Sequence, residues 1–88
     1  MIMVDELRKI NLTLFGWGWD KGCHLTTDGE LSELHEFAQR IGLKRQWFQD
    51  HPRHPHYDLT ENKRLVALVS GAVFVPAKEQ ARRRNQSA

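Results

Sequence analysis

The chain has 88 residues, a formal net charge of +2 at pH 7 and an apolar fraction of 40%, which fit one globular domain and exclude a disordered chain. No stretch is long and apolar enough to span a membrane, and the charged opening MIMVDELRK lacks the apolar core of a signal peptide. Cys23 is the single cysteine, so no intrachain disulfide can form. We therefore expect a cytoplasmic protein with no membrane partner.

The first quarter of the chain predicts strands separated by a loop. MIMVDEL is typical of a strand that carries Asp5 at its end. INLTLF alternates and can form a strand, whereas GWGWDKG is typical of a loop because glycine frees the backbone. CHLTT is a further short strand.

The segment DGELSELHEFAQRIGL predicts the first helix. Asp28 is expected to cap its start, and Gly42 to adopt a left-handed conformation at its end. Its apolar residues recur at helical spacing and are expected to face the core: Leu31, Leu34, Phe37, Ala38 and Ile41.

The second half of the chain alternates strands with helices. RQWFQD predicts a short buried strand, and the proline-containing HPRHPHYD that follows cannot be helical. LTENKRLVALVSG predicts a second helix, capped by Thr60 or Asp58 and ended by Gly71. AVFVP predicts a strand, and AKEQARRR a short helix. The second helix is expected to bury Leu65, Leu68, Val69 and Ala72.

This order predicts an α/β fold with a small, mainly parallel sheet of three to five strands, two main helices and a short C-terminal helix. Residues 1–77 are expected to form the single α/β domain, and residues 78–88 a basic C-terminal helix or tail that frays. The excess positive charge lies in that tail, where Lys78 and three arginines face one acid. Nucleic acid is therefore expected to bind, if at all, through the tail only.

Several segments resemble a family of short bacterial and phage proteins known as domain of unknown function 4031. They are CHLTTDGELSELHEFAQRIGL, WFQDHPRHPHYDLT, and the KR and GAV of the second helix. The resemblance implies no activity. It singles out paired acids, a histidine after Cys23, an HYD turn and a basic pair: Asp5, Glu6, His24, His56, Tyr57, Asp58, Lys63 and Arg64.

The start of the second helix is a candidate anion site. Helix N-termini attract anions, and the sequence brings His54, His56, Lys63 and Arg64 towards one such end. Tyr57 can offer its hydroxyl to a ligand, and Asp58 can either cap the helix or orient the His56 ring. The other reading is that Lys63 and Arg64 point into solvent or pair with nearby acids.

Metal binding and nucleophilic catalysis are weaker alternatives. The spacing H-x2-H-x-H places His51 and His54 on one side of an extended segment, and we expect no metal or other cofactor. If a metal is present, its predicted ligands are His51, His54, His56 and Asp58, with Asp5 or His24 able to complete the site. Cys23 beside His24 can form a thiolate nucleophile, but a lone cysteine is more often a core residue.

Trp17 and Trp19 lie in the glycine-rich loop, where they can stack on a base, form an interface or close over the core. With the small size of the chain, they favour a homo-oligomer. We expect a binding module for a phosphate-bearing, nucleotide-like small molecule rather than an enzyme. The phage members of the resembling family suggest sequestration of a host signalling nucleotide. The alternatives are a metal-dependent phosphodiesterase or nuclease using Asp5, His56 and Asp58, and a protein-interaction inhibitor.

Overall fold

A computed structural model describes residues 1–9 and 21–86. In chain order, its strands are β1 (Ile2–Val4), β2 (Arg8–Lys9), β3 (Lys21–Thr27), β4 (Phe48–Gln49), β5 (His56–Thr60) and β6 (Val73–Phe74). Its helices are α1 (Leu31–Arg40), α2 (Glu61–Val69) and α3 (Ala77–Gln86). The segments INLTLF and GWGWDKG fall mostly outside the described residues, as do Trp17 and Trp19.

The strands form one mixed sheet in the order β4-β5-β3-β1-β6, with β2 also paired to β3. The prediction of a small α/β fold is confirmed, but that of a mainly parallel sheet is wrong, since only β1 and β6 pair in parallel. The helices do connect strands of the same direction, as the alternating pattern indicated. However, β5 lies between β3 and β4, and two strands lie between β5 and β6. The strands that a helix joins are therefore not neighbours, and every pairing of the described strands except β1–β6 is antiparallel.

One side of the sheet, the core face, packs against α1 and α2. Its strand residues are apolar and buried, and they are Ile2, Val4, Cys23, Leu25, Tyr57 and Leu59. From α1, Leu34, Phe37 and Ala38 join them, with Ile41 just beyond the helix end, as predicted, whereas Leu31 is exposed.

The predicted buried face of α2 is partly wrong. Leu65 and Val69 are exposed, with 58% and 89% of their surface accessible, and Ala67 is the fully buried residue. Leu68 packs partly against the core, and Ala72 is buried as expected. Ala67 is thus the α2 residue that faces the sheet, and the larger apolar residues Leu65 and Val69 lie on the sides of the helix away from the core.

The helix ends follow the predicted chemistry with one exception. Gly42 and Gly71 adopt φ values of 86° and 112°, a left-handed region that favours glycine. Thr60, not Asp58, caps α2 by accepting a hydrogen bond from the Lys63 amide at 3.2 Å. At the start of α1, the capping residue is Glu30 without a side-chain hydrogen bond, so the prediction of an Asp28 cap is wrong.

The segment RQWFQD, which lies between the two main helices in the sequence, is not a fully buried strand. It forms a 3-10 turn over Arg45–Trp47 and the two-residue β4, because the segment covers the rim of the core rather than its centre. Within residues 1–9 and 21–86, no helix has the length and apolar character needed to cross a membrane.

The opposite side of the sheet, the polar face, carries the residues that alternate with the core positions. Helix α3 covers part of it. The hydroxyl of Thr26 donates to Gln80 Oε1 at 2.7 Å, and Gln80 Nε2 donates to the Val75 carbonyl at 2.8 Å. Gln80 is consequently only 5% exposed. A cleft between α3 and the polar face results, and the candidate site lies there.

Candidate metal centre

Strand register brings acids and histidines together on the polar face. In the antiparallel pair β3–β5, His24 lies directly opposite Asp58. The Asp5 amide donates to the His24 carbonyl at 3.4 Å, so Asp5, His24 and Asp58 form a row across three strands. His56 precedes Asp58 by two residues and therefore projects from the same face.

His24, His56 and Asp58 offer three ligand atoms that all lie within 4.8 Å of one another. The Asp58 Oδ1 atom is 3.6 Å from His24 Nε2 and 3.5 Å from His56 Nε2. A tetrahedral ion with bonds near 2.0–2.1 Å separates its ligand atoms by about 3.3 Å. The triad is therefore close to the spacing that a divalent metal requires.

The second nitrogen of each ring also has a partner. His24 Nδ1 lies 3.3 Å from Asp5 Oδ2, and His56 Nδ1 lies 2.8 Å from the His54 carbonyl oxygen. Because a carbonyl can only accept, His56 Nδ1 carries the hydrogen, and in the neutral ring Nε2 keeps its lone pair. Metal-binding histidines are held in this manner, by a carboxylate or a backbone carbonyl on the nitrogen away from the ion.

Asp5 is a buried anion with well-defined donors. It is 2% exposed, and it accepts hydrogen bonds from the His24 amide at 2.7 Å and from Arg8 Nη2 at 2.8 Å. Burial alone would raise the pKa of this carboxyl, but the His24 and Arg8 interactions outweigh it and hold the pKa below its ordinary value. Asp5 is therefore charged at neutral pH and suited to orient His24.

The pKa values of His54, in the loop, and of His56, at the start of β5, are shifted in opposite directions. Burial alone would lower the pKa of His56, but Asp58 and the His54 carbonyl raise it above its ordinary value. For His54, burial together with His51, His56, Arg84 and His24 lowers the pKa. His54 is therefore less readily protonated than His56.

A small cavity of about 110 Å³ opens beside the triad. It is lined by Asp5, Arg8, His24, Thr26, His54, Ala77, Gln80 and Arg84. A second cavity of about 390 Å³ shares four of these residues, Thr26, His54, Gln80 and Arg84, and extends to Arg53 and Gly29. His24 is therefore the triad residue that borders the smaller cavity, and the larger cavity between the sheet and α3, which shares four lining residues with it, has room for a small molecule.

The structure does not bring together the four residues predicted for the anion site. Lys63 Nζ donates to the Ile41 carbonyl at 2.6 Å, and Arg64 Nε donates to the Asp5 carbonyl at 3.0 Å. His54 and His56 instead lie with His24, with His56 4.3 Å from it between ring centroids. The basic pair thus connects α2 to other elements rather than to the histidine loop.

Two other candidates lie away from the site. Tyr57 belongs to the core face, where its hydroxyl lies 2.8 Å from His35 Nδ1. Cys23 is fully buried on the same face, and burial raises the pKa of its thiol to about 12, which leaves no thiolate for nucleophilic attack at neutral pH.

His51 is exposed and stacks on His54, with 4.1 Å between ring centroids. It lies outside the group of three ligand atoms, as does His54. Of the residues predicted as metal ligands, the structure groups His56 and Asp58 with His24, which the sequence had offered as a residue able to complete the site.

Sequence reasoning missed Arg8, Arg53 and Arg84 as site residues. Arg84 belongs to the segment that was expected to fray, and in the structure it lines both cavities. The signal that was available is the cluster of arginines at residues 82–84, which has a site role only once α3 is known to cover the polar face.

No curated protein and no solved structure matches the chain with significant similarity. A family model, described as "Protein of unknown function (DUF4031)", matches residues 2–87, which is nearly the whole chain and agrees with the resemblance found in the sequence. The chain therefore belongs to the DUF4031 family.

Proposed function

We propose that the protein is a metal-dependent hydrolase that acts on phosphate esters of small molecules. The observation that supports this best is the triad of His24, His56 and Asp58, with both imidazoles held by an acceptor on Nδ1. Two histidines and one carboxylate are a ligand set used for zinc and for other divalent transition metals.

The number of ligands favours catalysis over a structural role. Structural zinc sites are closed by four protein ligands, whereas catalytic sites keep a position for water or substrate. Here three protein ligands face a cleft, and the side chains of His24 and Asp58 are about a quarter exposed, at 25% and 24%. A metal at this position would have room for water and for one oxygen of a substrate.

The surroundings of the triad favour a phosphate group. His24 shares the smaller cavity with Arg8 and Arg84, and guanidinium groups match the geometry and charge of phosphate oxygens. A divalent metal lowers the pKa of bound water towards 7 and polarises a phosphoryl oxygen. A metal held by His24, His56 and Asp58 would supply this chemistry, and in the overall hydrolysis the oxygen of water would bond to phosphorus, the ester P–O bond would break, and a proton of that water would pass to the leaving alcohol.

The test begins with metal-free protein and isothermal titration with Zn²⁺ and Mn²⁺. We expect one ion per chain for the parent protein. Asp58→Asn and His24→Ala each remove a proposed metal ligand and should weaken metal binding by more than about 100-fold. Loss of a residue that only holds a ligand in place costs up to about 100-fold, so a larger loss indicates a ligand. His51→Ala is the matched control, since it removes an exposed histidine of the adjacent loop and should leave affinity unchanged.

Hydrolysis is then measured with 4-nitrophenyl phosphate and bis(4-nitrophenyl) phosphate. Metal-loaded protein should release 4-nitrophenol, and both activity and metal should disappear together in Asp58→Asn. A protein that binds metal and a phosphate ester without turnover would contradict hydrolysis and support sequestration of the ligand. Equal loss of metal in His51→Ala and Asp58→Asn would contradict the triad itself.

A further inference from the structure

We infer that Arg53 and Arg84 bind a second phosphate group of the substrate, at a distance from the one on the metal. The substrate class is then a small organic bisphosphate, with one phosphate at the triad and the other between these two arginines. This inference rests on the proposed function and adds the chemical identity of the far end of the substrate.

Arg53 and Arg84 differ from the other arginines around α3 in their partners. Arg82 and Arg83 both bind Glu79, with Arg82 Nη2 at 2.6 Å and Arg83 Nε at 3.3 Å from Glu79 Oε1. Within the described part of the chain, neither Arg53 nor Arg84 forms an ion pair with a carboxylate. Two such cations on one cavity repel each other, and a shared anion removes that repulsion.

The two arginines come from different elements and meet at the same space. Arg53 lies in the loop before β5, and Arg84 in the last turns of α3. Both line the cavity of about 390 Å³, and both line an adjoining groove, in each case together with His54. This volume is within the range of small-molecule sites, so an organic group can connect the two phosphates.

The cavity wall contains one carboxylate among its described residues, Asp28, and that group has a partner of its own. Asp28 Oδ1 lies 2.8 Å from the amino group of Met1. It therefore does not neutralise Arg53 or Arg84. Arg84 lines both cavities, whereas Arg53 lines the larger cavity and the adjoining groove but not the smaller cavity beside His24, so Arg53 marks the part of the site that is separate from the triad.

The experiment compares two ligands that differ only in the second phosphate, thymidine 3′,5′-bisphosphate and thymidine 5′-monophosphate. Binding of each to zinc-loaded protein is measured by titration calorimetry at low salt. The parent protein should prefer the bisphosphate by about 10-fold or more, as expected for charge-assisted hydrogen bonds. Arg53→Ala should abolish this preference and leave affinity for the monophosphate and for Zn²⁺ unchanged.

The matched control is Arg82→Ala, which removes an arginine of α3 that is paired with Glu79 and lines neither cavity. It should keep the full preference for the bisphosphate. Equal affinity for the two ligands in the parent protein, with zinc bound, overturns this inference and leaves the proposed metal site intact. A protein that binds no zinc but still prefers the bisphosphate through Arg53 supports the arginine pair and refutes the proposed hydrolase.

Discussion

On the core face of the sheet, the side chains of β1, β3 and β5 are apolar and almost completely buried, whereas the alternating residues on the polar face include His24, His56 and Asp58. The division separates residues that are adjacent in sequence. Cys23 packs in the core while His24 faces the cleft. Likewise, Tyr57 packs in the core while Asp58 lies on the polar face. Because successive strand residues point to opposite sides, one short strand contributes to both stability and chemistry.

A substitution on one face of the sheet should leave the property of the other face intact. The largest expected difference concerns Cys23, the next concerns Leu25, and the smallest concerns Tyr57.

The thiol of Cys23 should be nearly inert in the folded protein. Its pKa of about 12, against about 8.5 in an unfolded chain, lowers the thiolate fraction at pH 8 by about 1000-fold. Labelling with a chromogenic disulfide should therefore be at least that much slower in native protein than in urea. Similar rates in the two states would place the thiol in an accessible site.

The same pKa difference has a consequence for stability. A group whose pKa is raised by folding stabilises the native state below its unfolded pKa, and this contribution is lost as pH rises through the folded pKa. We therefore expect the free energy of unfolding to fall between about pH 8.5 and 12, and Cys23→Ser to flatten part of that fall. Identical slopes for the parent and the variant would contradict the burial of this thiol.

Truncation of a core residue should destabilise without removing the metal. Leu25 is fully buried, and Leu25→Ala should cost about 2–5 kcal/mol in urea unfolding, from lost contacts and the cavity left behind. The folded fraction should bind Zn²⁺ as the parent does.

Asp58→Asn is the reciprocal control for that measurement. On the polar face it should change the unfolding free energy at pH 8 by less than about 1 kcal/mol, while zinc binding is lost. If Leu25→Ala lost metal affinity in folded protein, or if Asp58→Asn unfolded the chain, the separation of the two faces would be refuted.

The smallest effect is expected for Tyr57→Phe. The variant removes the hydroxyl that contacts His35 Nδ1, at a cost of about 0.5–1.5 kcal/mol. Zinc and phosphate binding should be unchanged, and His35→Ala should show the same pattern. Weaker phosphate binding by folded Tyr57→Phe would return Tyr57 to the site that the sequence predicted for it.

Local signals predicted much of the fold. Helical spacing identified the buried residues of α1 from Leu34 to Ile41, and the glycines at 42 and 71 marked the helix ends. In α2 the five consecutive apolar residues from 65 to 69 fit any helix face equally well. The choice of Ala67 as the buried residue depends on how closely the helix approaches the sheet, which the spacing does not encode.

The sequence indicated the segment that contributes to the candidate site but not which side chains of other segments lie beside it. The histidine-rich loop and Asp58 were predicted, whereas the pairing of His24 opposite Asp58 depends on the register of β3 against β5. A single sequence carries no direct signal for the register that pairs His24 with Asp58, 34 residues later in the chain. The expectation that an anion binds at a helix N-terminus also drew Lys63 and Arg64 into the site, although α2 packs on the opposite face.

The most direct test of the metal triad is a long-range ¹H–¹⁵N correlation spectrum of the five histidine side chains before and after addition of Zn²⁺. The structure predicts that the Nε2 resonances of His24 and His56 shift on metal binding, while their Nδ1 atoms remain protonated. His35 and His51 should not change. Shifts at His51 and His54 instead, or no shift at any histidine with zinc in excess, would contradict a metal centre formed by His24, His56 and Asp58.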